Sequence, residues 1–478
     1  MRSSWHPVRV ILIFILGTVL FSSEGCSFVV EKDVKGKGIA ASCTTNSDCH
    51  AGVCVGELCT SKCGNDADCP TGTKCQRDGF CAQPLRAGFL YIGVLADQGW
   101  SYMHDQGRRA AEEALPWLTT EFAPNVITDA DVTRHATAMI EKGANVIIQS
   151  SQGGTAPMAA LAEKYKKDGV TFLQLYNRTV TNPNLGSYWV KIQQSWYLAG
   201  YIAAKKAKKH RIAWIGGYVS PQGIVRANGF VRGARRADPN VQVEVRWVGF
   251  WFDPGNPVSG KYRETLLAEQ VIEAGAEVVM SNTDNERVYD AVEAARVAGK
   301  EVWSIETNNP ASCAKYPRSC LGVAWLNWAP IYIQQLSAIH KHKWKPEYIH
   351  RGISVDPSQS PVGFQLSTEP GMNDTDTRLE LENLQAAIAN DNDLPLRGPY
   401  ATTGNRSAVA DGEVISDDEL LKMCWFPEGM VEKVNPDDPK SGDRPALVPH
   451  GERTFLKREN MTKGNESLAD PPDCAKNQ

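Results

Sequence analysis

From residue 86 onward the chain alternates short apolar, β-rich runs with longer stretches whose apolar positions fall three and four residues apart. The runs Ala87–Val94, Val146–Ser150, Val170–Tyr176, Arg211–Gly216, Val241–Trp247, Val278–Ser281 and Glu301–Ile305 predict strands. The stretches Tyr102–Leu115, Asp131–Lys142, Ala156–Lys167, Gln194–Lys208, Gln222–Ala237, Tyr262–Ala274 and Glu286–Ala298 predict amphipathic helices. Strands that alternate with helices build parallel, doubly wound sheets, because each crossover helix packs back on its sheet. Residues 83–434 are more than one such sheet usually holds, so the expectation is an α/β body of two lobes with a break near residue 205. In such sheets ligands sit beyond the carboxyl ends of the strands, which makes the cleft between the lobes the expected site.

The N-terminal pattern is different. Arg2, His6 and Arg9 precede an apolar stretch from Val10 to Phe21, and Ser22, Ser23, Glu24, Gly25 and Cys26 follow, so residues 1–25 have the layout of a secretion signal. The stretch is shorter than the roughly 20 residues a membrane-spanning helix needs. A cysteine after glycine at this place is where bacterial lipoproteins are cut and acylated, although Ser23 stands where such signals usually carry leucine. Cys26 is therefore expected to hold the exported chain to a membrane by a lipid, in the periplasm or at the cell surface. Residues 26–42 read as this anchor and a polar tether. Next come Cys43, Cys49, Cys54 and Cys59, then Cys63, Cys69, Cys75 and Cys81, two copies of one four-cysteine unit. A segment as short as residues 43–82 cannot bury enough apolar surface to fold unaided, so disulfides are expected to replace a core. Of 13 cysteines, lipidation of Cys26 leaves an even set, with Cys313 and Cys320, and Cys424 and Cys474, as further expected pairs. Export and the lack of paired C-x₂-C spacing argue against zinc. Residues 435–478, rich in Pro, Asp, Lys and Asn, predict an irregular tail.

Composition changes this picture little: 42% hydrophobic and 22% charged residues with a net charge of −4 are ordinary for a globular protein. The dense basic cluster from Lys205 to Arg211 closes a predicted helix, where cations complement the terminal carbonyls, and no charge run suggests nucleic acid. Candidate chemistry lies just after the strands. Trp100 and Tyr102 flank Ser101 on what reads as a loop after the first strand, and flat rings there suit a planar heterocycle. Ser101 can cap the next helix. In the second lobe Trp251 follows a strand between Phe250 and Phe252, two rings expected in the interlobe core; Trp100 and Trp251 would then clamp a flat ligand. Thr283, Asp284 and Glu306 follow later strands and supply polar groups for a ligand's edge. Ser150–Thr155 lacks the lysine and glycine spacing of a phosphate loop.

The segments DQGWSYMHDQGRRAAEEAL, SWYLAGYIAAKKAKKHRIAWIGG, VGFWFDPG and ISDDELLKMCWFPEGMVEKV resemble the basic membrane protein family of substrate-binding lipoproteins over residues 87–434. The resemblance implies a type 1 periplasmic binding fold, a lipid anchor, an ABC permease partner and a purine base or nucleoside as ligand. It places the family's aromatics at Trp100 and on or beside Trp251, and its polar strand ends at Asp284 and Glu306. Asn327 and Trp328 join the expected set. Departures weaken ribose handling: Glu306 and Asn308 stand where the family has aspartate, Leu326 where nucleoside binders have lysine, and Gln152 where an aromatic is usual. An enzyme would need clustered carboxylates or a nucleophile with its base, and neither is recognisable; His340 and His342 point to different faces of a helix. No cofactor or metal is expected. The rival reading is a sensory or adhesive lipoprotein that uses the cysteine-rich module for interaction.

Overall fold

The computed structural model describes residues 40–433 apart from 51, 97, 179, 181, 218–219, 249–250, 252–259, 369–373 and 405, together with 443–445. The expectations for the signal, Cys26, Phe250, Phe252, Cys474 and most of the tail fall outside these residues.

The cysteine-rich segment folds as two small hairpins, β1 (Val53–Val55) with β2 (Leu58–Thr60) and β3 (Lys74–Cys75) with β4 (Cys81–Ala82). Disulfides join Cys43 to Cys54, Cys49 to Cys59, Cys63 to Cys75 and Cys69 to Cys81, so each unit links its first cysteine to its third and its second to its fourth.

The body begins with β5 (Leu85–Leu90), α1 (Trp100–Ala114), β6 (Leu118–Ala123), α2 (Asp129–Glu141), β7 (Val146–Gln149), α3 (Thr155–Lys164), β8 (Thr171–Leu175) and β9 (Leu185–Val190). It continues through α4 (Gln193–Lys206), β10 (Arg211–Gly216), α5 (Pro221–Ala237), β11 (Gln242–Trp247), α6 (Arg263–Glu273), β12 (Val278–Ser281), α7 (Arg287–Val297), β13 (Trp303–Asn308) and β14 (Cys320–Leu326). Then follow α8 (Ala329–His340), β15 (Tyr348–Arg351), β16 (Val362–Leu366), α9 (Thr375–Asn390), β17 (Tyr400–Gly404), β18 (Ala408–Val409), α10 (Asp417–Leu420), β19 (Trp425–Pro427), β20 (Met430–Lys433) and β21 (Asp443–Pro445).

Two sheets result. The first has order β15-β9-β8-β7-β5-β6 and is parallel throughout. The second has order β16-β14-β13-β12-β10-β11-β20-β21, parallel except for its two outer pairs. The chain leaves the first sheet after β9, builds most of the second, returns through α8 and β15, and goes back for β16. Cys313 and Cys320 are bridged, and Cys424 is disulfide-bonded as well.

An inner core runs continuously from Phe89 and Trp196 to Trp214 and Phe230, and each sheet has a separate outer core, around Ile147 and Phe172 or around Leu267 and Val279. The two helices at the centre, α4 and α5, touch backbone to backbone. A Cβ added at Gly200 would lie 1.8 Å from the Phe230 carbonyl oxygen, and one at Gly233 would lie 1.8 Å from that of Tyr197. Any side chain at either place would force the helices apart.

The cysteine-rich module rests on the first lobe at the end away from the helix N-termini. Arg77 donates to the carbonyls of Glu112 and Leu115 at the end of α1, and Glu57 pairs with Lys341 at 3.1 Å and Lys343 at 3.2 Å beyond α8.

Candidate ligand-binding site

Helix α1 starts at Trp100 with Gly99 as its cap residue, and no side chain caps it. Trp100 and Tyr102 therefore lie in the first helical turn and not on a loop, because glycine is tolerated at the cap and the helix begins two residues earlier than its apolar spacing suggests. Ser101 is buried, and its Oγ accepts from the Gly93 amide at 3.0 Å, tying the segment after β5 to the helix start. Trp100 is half-buried and its Nε1 donates to the Ser150 carbonyl at 2.8 Å, so its ring is fixed between the ends of β5 and β7. Tyr102 is half-buried against the inner core.

Trp328 supports Trp100 from behind. It is completely buried, meets Trp100 edge-on at 5.4 Å and stacks on His104 at 4.1 Å with 13° between planes. Burial pushes the His104 imidazole well below its ordinary pKa, so the ring is neutral, and its Nδ1 lies 2.5 Å from the Tyr332 hydroxyl. Trp189 adds a further ring 6.0 Å from Trp100, and Tyr176 meets Trp189 edge-on at 4.7 Å. Asn327 is half-buried; its Oδ1 accepts from the Ala329 amide, the first of α8, at 3.1 Å.

The second lobe presents a charge to this aromatic wall. The guanidinium of Arg226, on α5, lies 5.9 Å from the Trp100 ring, 5.5 Å from Trp196 and 5.7 Å from Trp251, within the range of cation–π attraction. Desolvation lowers its pKa to about 10, partly offset by the nearby Asp284 carboxylate, so it remains charged at neutral pH. The Asp284 amide donates to the Trp251 carbonyl at 2.6 Å, which joins the segments after β11 and β12. Trp100, Trp251 and Asp284 thus come together around a residue that the sequence reading did not single out. The lobes also meet where Gln222 Nε2 donates to Gln152 Oε1 at 2.9 Å.

Thr283 and Glu306 are placed otherwise. Thr283 is buried in its own turn, with its Oγ1 3.0 Å from Ser281 Oγ and donating to the Asn285 carbonyl at 3.3 Å. Glu306 is 1% exposed, and its Oε1 accepts from Ser304 Oγ at 2.9 Å. Its charged neighbours are Glu286, Asp290 and Lys315, and burial pushes its carboxyl well above the usual range, so it is a neutral acid inside the second lobe.

Beside Arg226 runs a narrow cleft lined by Tyr176, Trp189, Gln193, Gln222, His350 and Leu420, among others. Tyr176 holds φ = +56°, a left-handed backbone that a bulky side chain rarely adopts and that tends to mark functional positions. Among the described residues, Tyr176 Oη, Gln193 Oε1, His350 Nε2 and Arg226 Nη1 are buried without a hydrogen-bond partner. Such groups are costly to leave unmatched, so the arrangement favours an occupant that bonds to them.

A signal for Tyr176 existed, since it ends the strand run Val170–Tyr176 at the edge where ligands bind. Arg226 was harder to find. It lies in a stretch, Pro221–Phe230, whose residues are all buried, and a charge inside such a stretch is unusual; yet nothing local reveals the three tryptophans it meets.

The family described as ABC transporter substrate-binding protein, PnrA-like, matches residues 85–391. A purine-binding protein of Brucella abortus is 28% identical over 74% of this chain and 94% of its own length. A putative ABC transporter glucose-binding protein of Haloferax volcanii is also 28% identical, over 57% of this chain and 66% of its own. An ABC transporter solute-binding protein from Conexibacter woesei, 15% identical, superposes with a TM-score of 0.54 over 66% of this chain and 98% of that one, and so shares the fold. With two parallel-sheet lobes and an aromatic cleft between them, the chain belongs to the PnrA-like family of ABC transporter substrate-binding proteins.

Proposed function

We propose that this protein captures a purine base or nucleoside in the cleft between its lobes and delivers it to an ABC permease, without chemically altering it. The observation that carries this reading is the meeting of Trp100 and Trp251, one from each lobe, around Arg226. Aromatic faces suit a flat heterocycle, and the purine-binding relative from Brucella abortus agrees with that ligand class. Base stacking contributes roughly 1–3 kcal/mol, so Trp100→Ala is expected to weaken purine binding about 5- to 150-fold in calorimetry. Absence of binding by adenine, guanine, hypoxanthine and their nucleosides to the unaltered protein would reject the ligand class.

Export and anchoring through Cys26 are part of the same proposal. Mass spectrometry of protein from its native membranes is expected to find the N-terminus at an acylated Cys26, and any other mature N-terminus rejects the anchor.

A further inference from the structure

We infer that the site discriminates among purines through Arg226 and prefers 6-oxopurines, such as hypoxanthine and guanine, to the 6-aminopurine adenine. This rests on the purine reading above and goes beyond it to the edge of the base that is read.

Arg226 is 4% exposed, yet its Nη1 finds no hydrogen-bond partner among the described residues. Three indole rings surround the guanidinium and stabilise its charge, but ring faces do not accept from N–H groups as an oxygen or ring nitrogen does. A buried cation whose Nη1 has no partner among the described residues therefore calls for an acceptor from outside the chain. Its planar fork matches two acceptors set side by side, which the O6 and N7 atoms of a 6-oxopurine provide. Adenine offers N7 but turns an amino group toward the fork, so donors face donors. The helix keeps the fork in place. Arg226 lies two turns before Gly233, where α5 touches the backbone of α4, so the guanidinium cannot retreat from the cleft by a shift of the helix. Tyr176, whose hydroxyl also lacks a partner and whose ring lies in the same group, supplies a further donor from the first lobe.

The test is calorimetric titration of the full chain with hypoxanthine, guanine and adenine. A good bidentate contact is worth roughly 1–3 kcal/mol of discrimination, so hypoxanthine is expected to bind roughly 5- to 150-fold more tightly than adenine. Arg226→Gln is expected to remove most of that preference by weakening the oxopurines, and Arg226→Lys, which keeps the charge but not the fork, should fail to restore it. Equal or tighter binding of adenine by the unaltered protein overturns the inference and leaves the purine reading standing. A preference that survives in a folded Arg226→Gln protein overturns it too. If no purine binds at all, the purine reading falls and takes the inference with it.

Discussion

The two walls of the cleft are built on different principles. On the first lobe, Trp100, His104, Trp328 and Tyr332 lock one another by stacking, edge contacts and the hydrogen bonds of Trp100 and His104. The second lobe buries charge. Arg246 pairs with Glu244 at 2.8 Å, and Arg287 reaches Glu264 at 3.3 Å. Arg226 has, among the described residues, the nearby Asp284 and Tyr176 and its three tryptophans, and Glu306, a neutral acid, has a serine. A wall of packed rings is a preformed surface, with His104 Nε2 and Trp328 Nε1 buried in it without a hydrogen-bond partner among the described residues. A wall with an open guanidinium is incomplete until a ligand matches it, so affinity for a flat ring is expected to come mainly from the first lobe and selection among rings mainly from the second.

The largest expected effect comes from breaking the packed side. Trp328 is fully buried among rings, and Trp328→Ala should cost about 3–5 kcal/mol of stability, because the neighbouring rings cannot collapse into the space. Urea unfolding measures this. A loss below about 1 kcal/mol would mean that the wall repacks freely and is not the rigid partner in the comparison.

Much of this organisation was legible in the chain because it is local. Each of the seven apolar runs lies on a strand, and each four-cysteine unit is closed by its own two disulfides. Two strands of the sheets lack a clean period in the sequence. Leu185–Val190 is buried on both faces and carries Gly and Ser, and Cys320–Leu326 is nearly apolar throughout. Trp100, Trp251 and Asp284, which the fold brings together around Arg226, stand out in the sequence because they follow strands, where open parallel sheets bind ligands. Arg226 and Tyr176 were missed for a physical reason: what distinguishes them is an unmet hydrogen bond and a strained backbone, and both depend on neighbours far away in sequence. Glu306 shows the converse, since it follows the right pattern but turns into the lobe.

Glu306 also gives the smaller and more discriminating test of the second lobe. Its folded-state pKa is raised by burial, so the native protein keeps a proton that the unfolded chain releases above its ordinary pKa. Native stability must then fall as pH rises from about 4.5 toward the folded value, by about 1.4 kcal/mol for each pH unit in that window. Glu306→Gln keeps the hydrogen bond with Ser304 and carries no titrating proton, so that slope should disappear and the variant should be the more stable protein at neutral pH. Denaturant unfolding at pH 5, 6 and 7 measures the slope, and purine calorimetry on the same variant is expected to show little change. A variant that loses stability at neutral pH would mean that the carboxylate is charged and paired in the native state. A variant that keeps its stability but loses purine binding would move Glu306 from the interior of the second lobe to the ligand, and would show that this wall reads its ligand with an acid as well as with Arg226.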